Sequence, residues 1–197
     1  LLAKNGIETL IWGFEKDHVA AIKKDGNNQL FLPGIPFPEK LSVTDDLDEA
    51  IKFSQDILVV VPSHAFRQTL KNAAASFSDQ HRIIWATKGL DQTKSELLHE
   101  VCRQELNTNI PTAVFSGPTF AGEVATGLPT AVTIASQDQN FAADMSDAFT
   151  NETFRAYTTE DLISVQLGGA VKNVLAIAAG ISDGLGFGAN SRSALIT

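Results

Sequence analysis

Residues 162–181, LISVQLGGAVKNVLAIAAGI, form a helix-length apolar segment whose only ionisable group is Lys172. As a helix the segment spans about 30 Å. A helix apolar on every face must be buried in a core or a membrane. Burying an ammonium is costly unless it is paired or used. Gly168 and Gly169 fall on the same face as Lys172, where each costs up to about 1 kcal/mol relative to Ala. Something therefore comes close there, either backbone or ligand. A membrane crossing is opposed by Gln166, Lys172 and Asn173 in mid-segment, since a lysine there costs about 3 kcal/mol. The remaining alternative is a structural lysine whose stem covers apolar surface while its head reaches water. The segment alone does not separate that role from a functional one.

The rest of the composition is that of an ordinary globular chain, with 44% hydrophobic residues. Fifteen Lys and Arg against 23 Asp and Glu leave a net charge of -8. That balance argues against a general nucleic-acid or anionic-membrane surface, so an anionic ligand needs a local basic site. Cys102 is the only cysteine, which excludes an internal disulfide and makes a cytoplasmic location the default. The histidines are scattered at positions 18, 64, 81 and 99, and no metal site is expected. The opening LLAKNG reads as the end of a helix closed by Gly6, and the final SRSALIT as a helix cut short. Both ends suggest part of a longer polypeptide.

Short apolar runs alternate with helical patterns, which predicts βαβ units around a largely parallel sheet. Strands are expected at Thr9 to Gly13, Leu41 to Thr44, Ile57 to Val61, Arg82 to Ala86, Ala113 to Phe115, Thr130 to Ala135 and Phe154 to Tyr157. Helices are expected at Asp17 to Lys24, Asp46 to Phe53, Ser63 to Ala74, Lys94 to Leu106 and Gln139 to Phe149, several opened by Asp or Ser caps. Residues 25–40 form a proline-rich loop expected to lie over the sheet. GLGFG at 184–188 lacks the spacing of a dinucleotide fingerprint and reads as a loop between two helices.

In open sheets of this kind ligands bind beyond the carboxyl ends of the strands. That rule selects Phe14 and Glu15, Pro62 to His64, Thr87 to Gly89, and Ser116 to Thr119. Lys88 favours an anion contact there, with a solvated loop lysine as the alternative. In SGPTFAGEVATG a helix beginning near Thr119 would aim the amides around Gly117 to Ala121 outward as an anion or polar-group cradle. Gly117 would give access and Thr119 a hydroxyl. A helix cap without ligand is the competing reading.

Together VVVPSHAF at 59–66, WATKGL at 85–90, SGPTFAGE at 116–123, GLPTAVTIAS at 127–136, QLGGAVKNVLAIAAGISDG at 166–184 and GFGANSRSALIT at 186–197 resemble the bacterial NAD(P)-dependent sn-glycerol-3-phosphate dehydrogenases. The resemblance implies a Rossmann-like, doubly wound α/β domain over 1–160, followed by the start of an all-α substrate domain over 161–197. It implies reversible hydride transfer between glycerol 3-phosphate and NAD or NADP, giving dihydroxyacetone phosphate, for phospholipid synthesis in the cytoplasm. A homodimer with no integral membrane part is the family's expectation.

By resemblance Lys172 corresponds to the proton acceptor, which also touches substrate, and Lys88 to a lysine reaching both cofactor and substrate. Gly117 and Thr119 correspond to substrate contacts and Ala121 to a cofactor contact. Phe14 falls at a cofactor position where many members carry His or Arg. The family's first strand and glycine loop would precede Leu1; losing that strand would split the sheet. A lysine serving as base near neutral pH needs its pKa lowered from ~10.4 toward ~7–8. The apolar helix would supply burial, and Lys88 a neighbouring cation. The edge Gly13, Phe14, Glu15, Lys16 carries both signs of charge, and NADP with some use of NAD is the preference the resemblance suggests. The alternatives are a dehydrogenase of another small acid on related architecture, such as a 6-phosphogluconate or 3-hydroxyacyl substrate, or a non-catalytic nucleotide-binding protein.

Overall fold

A computed structural model of the chain describes residues 1–106 and 109–196. Among the described residues seven strands alternate with helices, in two sheets. The first sheet pairs β1 (Thr9–Trp12) with β2 (Leu41–Thr44) in parallel, joined through α1 (Lys16–Asp25). After α2 (Leu47–Phe53), the second sheet runs in the order β3 (Asp56–Val59), β4 (Arg82–Trp85), β5 (Thr112–Ser116), β6 (Thr130–Ser136), β7 (Phe154–Thr159). No strand pairing joins the two sheets among the described residues. Ile11 of β1 and Val60, just after β3, are exposed.

Both faces of the larger sheet are covered, which is why its strands read as continuous apolar runs. Ile83, Trp85 and Val114 face a core built with α3 (Ser63–Ala73) and α4 (Leu98–Glu105). Ile84, Ala113, Phe115 and Ile134 face α6 (Gln139–Phe149) on the other side. The period-2 alternation of Ile83, Ile84 and Trp85 sends neighbouring side chains to opposite cores.

Two helices start two or more residues later than expected. α4 starts at Leu98 because Lys94 and Ser95 belong to a turn around Asp91, whose carboxylate accepts the Lys94 N–H at 3.0 Å. Ser95 has φ 57, which no helix accommodates. α5 (Ala121–Thr126) begins two residues later than predicted, with Phe120 as its N-cap and no side-chain cap. At the start, Gly6 (φ 87) closes a turn in which Ile7 N–H bonds to Leu2 and Gly6 N–H to Ala3, the pairing of a helix end. The loop 184–188 does join two helices, α7 (Leu162–Gly184) and α8 (Ala189–Ile196). Thr197, in the expected terminal helix, lies outside the described residues.

One reversal positions the long helix. β6 pairs antiparallel to β5, and β7 follows β6 in parallel. β7 therefore ends at the edge where β5 begins, and α7 starts there, with Leu162 lining the same cavity as Pro111 and Thr112. Seven residues later Gly169 faces Ser116 at the end of β5. The helix thus travels along β5, and Lys172 lies about 4.5 Å of helix rise beyond Gly169.

The expectation that α7 is buried on every face is not met. Leu162 and Gln166 are buried, whereas Val171, Val174, Ile177 and Ile181 are exposed. Only the first turns pack on the sheet; past Gly169 the helix runs beyond its edge. By length and composition alone, with mean hydropathy 1.5, it is long and apolar enough to cross a membrane. Its first turns are instead held by polar contacts: the Gln166 amide bonds the Leu162 carbonyl at 3.0 Å and His99 Nδ1 at 3.0 Å, and accepts the His99 N–H at 3.2 Å.

Candidate active site

The carboxyl ends of β4 and β5 and the middle of α7 converge on a narrow cleft lined by Thr87, Lys88, Ser116, Gln166 and Gly169. Beyond Trp85 the chain buries Thr87, whose hydroxyl donates to the Val61 carbonyl at 2.7 Å. Gly89 then turns with φ +116 and packs on Ser63 of α3, a conformation and a closeness that favour glycine. The turn directs Lys88 toward β5. Its Nζ donates to the Gly117 carbonyl at 2.9 Å.

The two central glycines of the site have specific neighbours. A Cβ on Gly169 would sit 3.2 Å from Ser116 Oγ and 3.7 Å from Lys88 Cγ, so the missing side chain lets α7 approach the strand ends. Gly168 meets nothing within 4 Å, so only one of the pair is accounted for by close approach. A Cβ on Gly117 would come 2.8 Å from the Ala131 carbonyl oxygen and 2.9 Å from Val132 Cα. Packing on β6 therefore gives Gly117 a structural requirement of its own.

Lys172 reaches this cleft electrostatically. The Lys88 ammonium is held below the ordinary lysine range by burial first and by the Lys172 charge second. The folded chain consequently binds Lys88's proton less firmly than the unfolded chain. The cost of keeping Lys88 charged is felt below its folded pKa and fades as pH rises through it. The burial expected around Lys172 is not observed, because the residue is exposed; the desolvated lysine of the two is Lys88.

The remaining predicted residues fall in two groups. Thr119 is half-buried two positions after Gly117. Phe120 and Ala121 are exposed, and α5, six residues long, starts at Ala121 with Phe120 as its N-cap, so of the segment Gly117 to Ala121 only Ala121 lies within the helix. Phe14 follows β1 with its ring 81% exposed, edge-on to Trp12 at 6.2 Å. It belongs to the smaller sheet and makes no ring contact with the residues of the cleft among those described. No group of metal-binding side chains occurs among the described residues. Sequence reasoning missed the Gln166 and His99 clamp, signalled only by a lone amide in an apolar helix, and the buried Asp91.

The comparisons with known proteins bear on the family and the fold. Residues 1–142 match the sequence model described as NAD-dependent glycerol-3-phosphate dehydrogenase N-terminus, and residues 161–197 match its C-terminus counterpart. The chain belongs to the NAD-dependent glycerol-3-phosphate dehydrogenase family. A glycerol-3-phosphate dehydrogenase (NAD(P)+) of Colwellia psychrerythraea is 52% identical over 197 residues, covering 100% of this chain and 59% of that protein. One from Bartonella henselae is 52% identical over 198 residues, covering 100% and 58%. The crystal structure of glycerol-3-phosphate dehydrogenase from Coxiella burnetii superposes with a TM-score of 0.90 at 46% identity, covering 99% of this chain and 59% of that one. The chain thus spans about three-fifths of the length of these glycerol-3-phosphate dehydrogenases. The family's Rossmann-like architecture, a mostly parallel sheet followed by helices, is the one described above.

Proposed function

We propose that the chain forms the dinucleotide-binding domain, residues 1–160, and the beginning of the helical substrate domain, residues 161–197, of an enzyme interconverting glycerol 3-phosphate and dihydroxyacetone phosphate with NAD or NADP. The observation that carries this reading is the Lys88 ammonium held against the Gly117 carbonyl at the carboxyl edge of β4 and β5, with Gly169, three residues before Lys172, packed on Ser116 and the Lys88 stem. Two cations at one strand edge, in a chain of net charge -8, make a local site for a phosphorylated substrate. The residues fit a dinucleotide in part: the exposed Phe14 ring offers a flat face at the end of β1, while Lys88 and Ala121 flank the reacting end. A cytoplasmic, homodimeric enzyme without an integral membrane part, supplying glycerol phosphate to phospholipid synthesis, completes the proposal.

A nicotinamide nucleotide held beside Lys88 and Ala121 would supply or accept the hydride. In the reducing direction Lys172 gives its proton to the C2 oxygen of dihydroxyacetone phosphate as hydride adds to C2. In the oxidising direction it takes the C2 hydroxyl proton as hydride leaves. Lys88 balances substrate charge, and Gly117 and Thr119 orient the substrate along the end of β5. A surface lysine such as Lys172 becomes an effective base only once water is excluded around it.

The test is NAD(P)H absorbance with the full-length protein, adding dihydroxyacetone phosphate, 3-oxoacyl substrates, or the 6-phosphogluconate oxidation reaction in separate runs. Consumption of NAD(P)H with dihydroxyacetone phosphate alone, yielding glycerol 3-phosphate, is expected. Turnover confined to another pair would move the enzyme to a different dehydrogenase class, and binding of nucleotide without any turnover would make it a non-catalytic protein.

A further inference from the structure

The loop that carries Lys88 is pinned at both feet. On one side is Thr87, 6% exposed and bonded to the Val61 carbonyl. On the other is Asp91, 3% exposed. Between them lies a three-residue arch, Lys88, Gly89 and Leu90. A carboxylate that deeply buried requires a partner, and Arg67 on α3 provides one. Its Nε donates to Asp91 Oδ1 at 3.1 Å and its Nη2 to Asp91 Oδ2 at 3.2 Å. This is the two-pronged geometry that fixes orientation as well as distance.

The same guanidinium also reaches Glu96 at 3.0 Å and Glu105 at 2.5 Å. Asp91 in turn organises the loop's return: its N–H donates to the Glu96 carbonyl at 2.9 Å, its carbonyl accepts the Ser95 N–H at 2.8 Å, and its carboxylate accepts the Lys94 N–H. Holding α3 to α4 needs only the pair with Glu105. The additional fork onto a buried loop carboxylate constrains the loop itself, including Ser95 in its unfavourable left-handed conformation. The Asp91 carboxyl is accordingly held below the usual range, chiefly by the Arg67 hydrogen bond.

We propose that Arg67 is a positioning residue of the reaction. By forking onto Asp91 it fixes the far foot of the arch and so holds the Lys88 ammonium against the Gly117 carbonyl before substrate arrives. The inference rests on the reading above, in which Lys88 binds the phosphorylated substrate. A lysine on an unpinned arch would have to be ordered during binding, at the expense of affinity.

The test uses the full-length protein with Arg67→Met and Arg67→Lys. The second variant keeps a cation beside Asp91, which protects folding, but loses the fork. Steady-state kinetics with dihydroxyacetone phosphate and amide hydrogen exchange across residues 86–97 are measured together. For Arg67→Lys a rise in KM of about 10-fold or more is expected with kcat changed far less. Exchange should accelerate at Lys88 to Asp91 while that of β4 stays at the wild-type rate. Arg67→Met should show both effects more strongly wherever it folds. Wild-type KM and wild-type arch exchange in Arg67→Lys would overturn the role, even if its melting temperature fell. Should the wild-type protein not turn over dihydroxyacetone phosphate, the functional reading fails, and arch exchange still decides whether Arg67 holds Lys88.

Discussion

Replacing Lys172 by alanine in the full-length protein is expected to lower kcat for dihydroxyacetone phosphate reduction by about 100- to 10,000-fold, the range attributed to a positioned general acid or base. Nucleotide affinity should stay within about 3-fold of wild type, because uniform binding is not what such a residue supplies. The reasoning is geometric. Lys172 sits one helical turn beyond the point where Gly169 lets α7 touch Ser116 and the Lys88 stem, and its charge is felt at Lys88. Lys172 is exposed within residues 1–196, and a melting temperature close to that of wild type in the full-length variant would separate a catalytic from a structural role. A variant with near-normal kcat would remove Lys172 from the proton-transfer role. Loss of folding would show instead that the lysine is structural.

Gly117→Ala is expected to be the most damaging of the small substitutions in the cleft. Its Cβ would stand 2.8 Å from a β6 carbonyl oxygen and 2.9 Å from a β6 Cα, and neither backbone atom can rotate away. Overpacking of this kind costs about 1–3 kcal/mol, and at this chain length each kcal/mol lowers Tm by about 2–4 °C. The strain has a functional outlet, because Gly117's carbonyl is the acceptor of the Lys88 ammonium. Parting β5 from β6 there moves Lys88's anchor, and KM for the phosphorylated substrate should rise along with the loss of stability. Gly122→Ala is the matched control: a Cβ there meets nothing within 4 Å, and the residue lies within α5, where alanine is favoured by up to about 1 kcal/mol. Equal thermal stability of the two variants in a urea or heat denaturation would show that the packing at Gly117 has slack.

Much of this fold is legible in residues that act locally. The apolar runs around Ile83 to Trp85 and Ala113 to Phe115 announce strands buried on both faces, and Asp46 and Asp138 mark helix starts by capping them. Lys88 and Gly117 are found by the same logic, since strand ends followed by glycine define a ligand edge. What is not legible depends on partners distant in sequence. The packing requirement at Gly117 comes from β6, the clamp on α7 joins Gln166 to His99 across 67 positions, and Arg67 reaches Asp91 across 24. Hydrophobic periodicity carries no information about such pairings. Composition alone predicts burial of α7, yet a helix is buried only where another element meets it, and among the described residues the sheet meets α7 only as far as about Gly169 while α8 packs near Ser182. Asp91 likewise carries no local mark of burial, because its partner Arg67 lies 24 positions away.

Lys88 and Lys172 are proposed to face one cleft, and titrating the Lys88 ε-amine tests this most directly. Lysines labelled with 13C-methyl groups report each ammonium separately by NMR, and Lys88→Arg assigns the resonance. The expected result is a Lys88 titration below the ordinary lysine range in the wild-type protein. In Lys172→Ala it should move upward yet stay below that range, because burial, the larger of the two causes, is unchanged while the neighbouring charge is gone. A Lys88 titration that does not move when Lys172 is removed would mean that the two ammonium groups do not share a site, and would contradict the account.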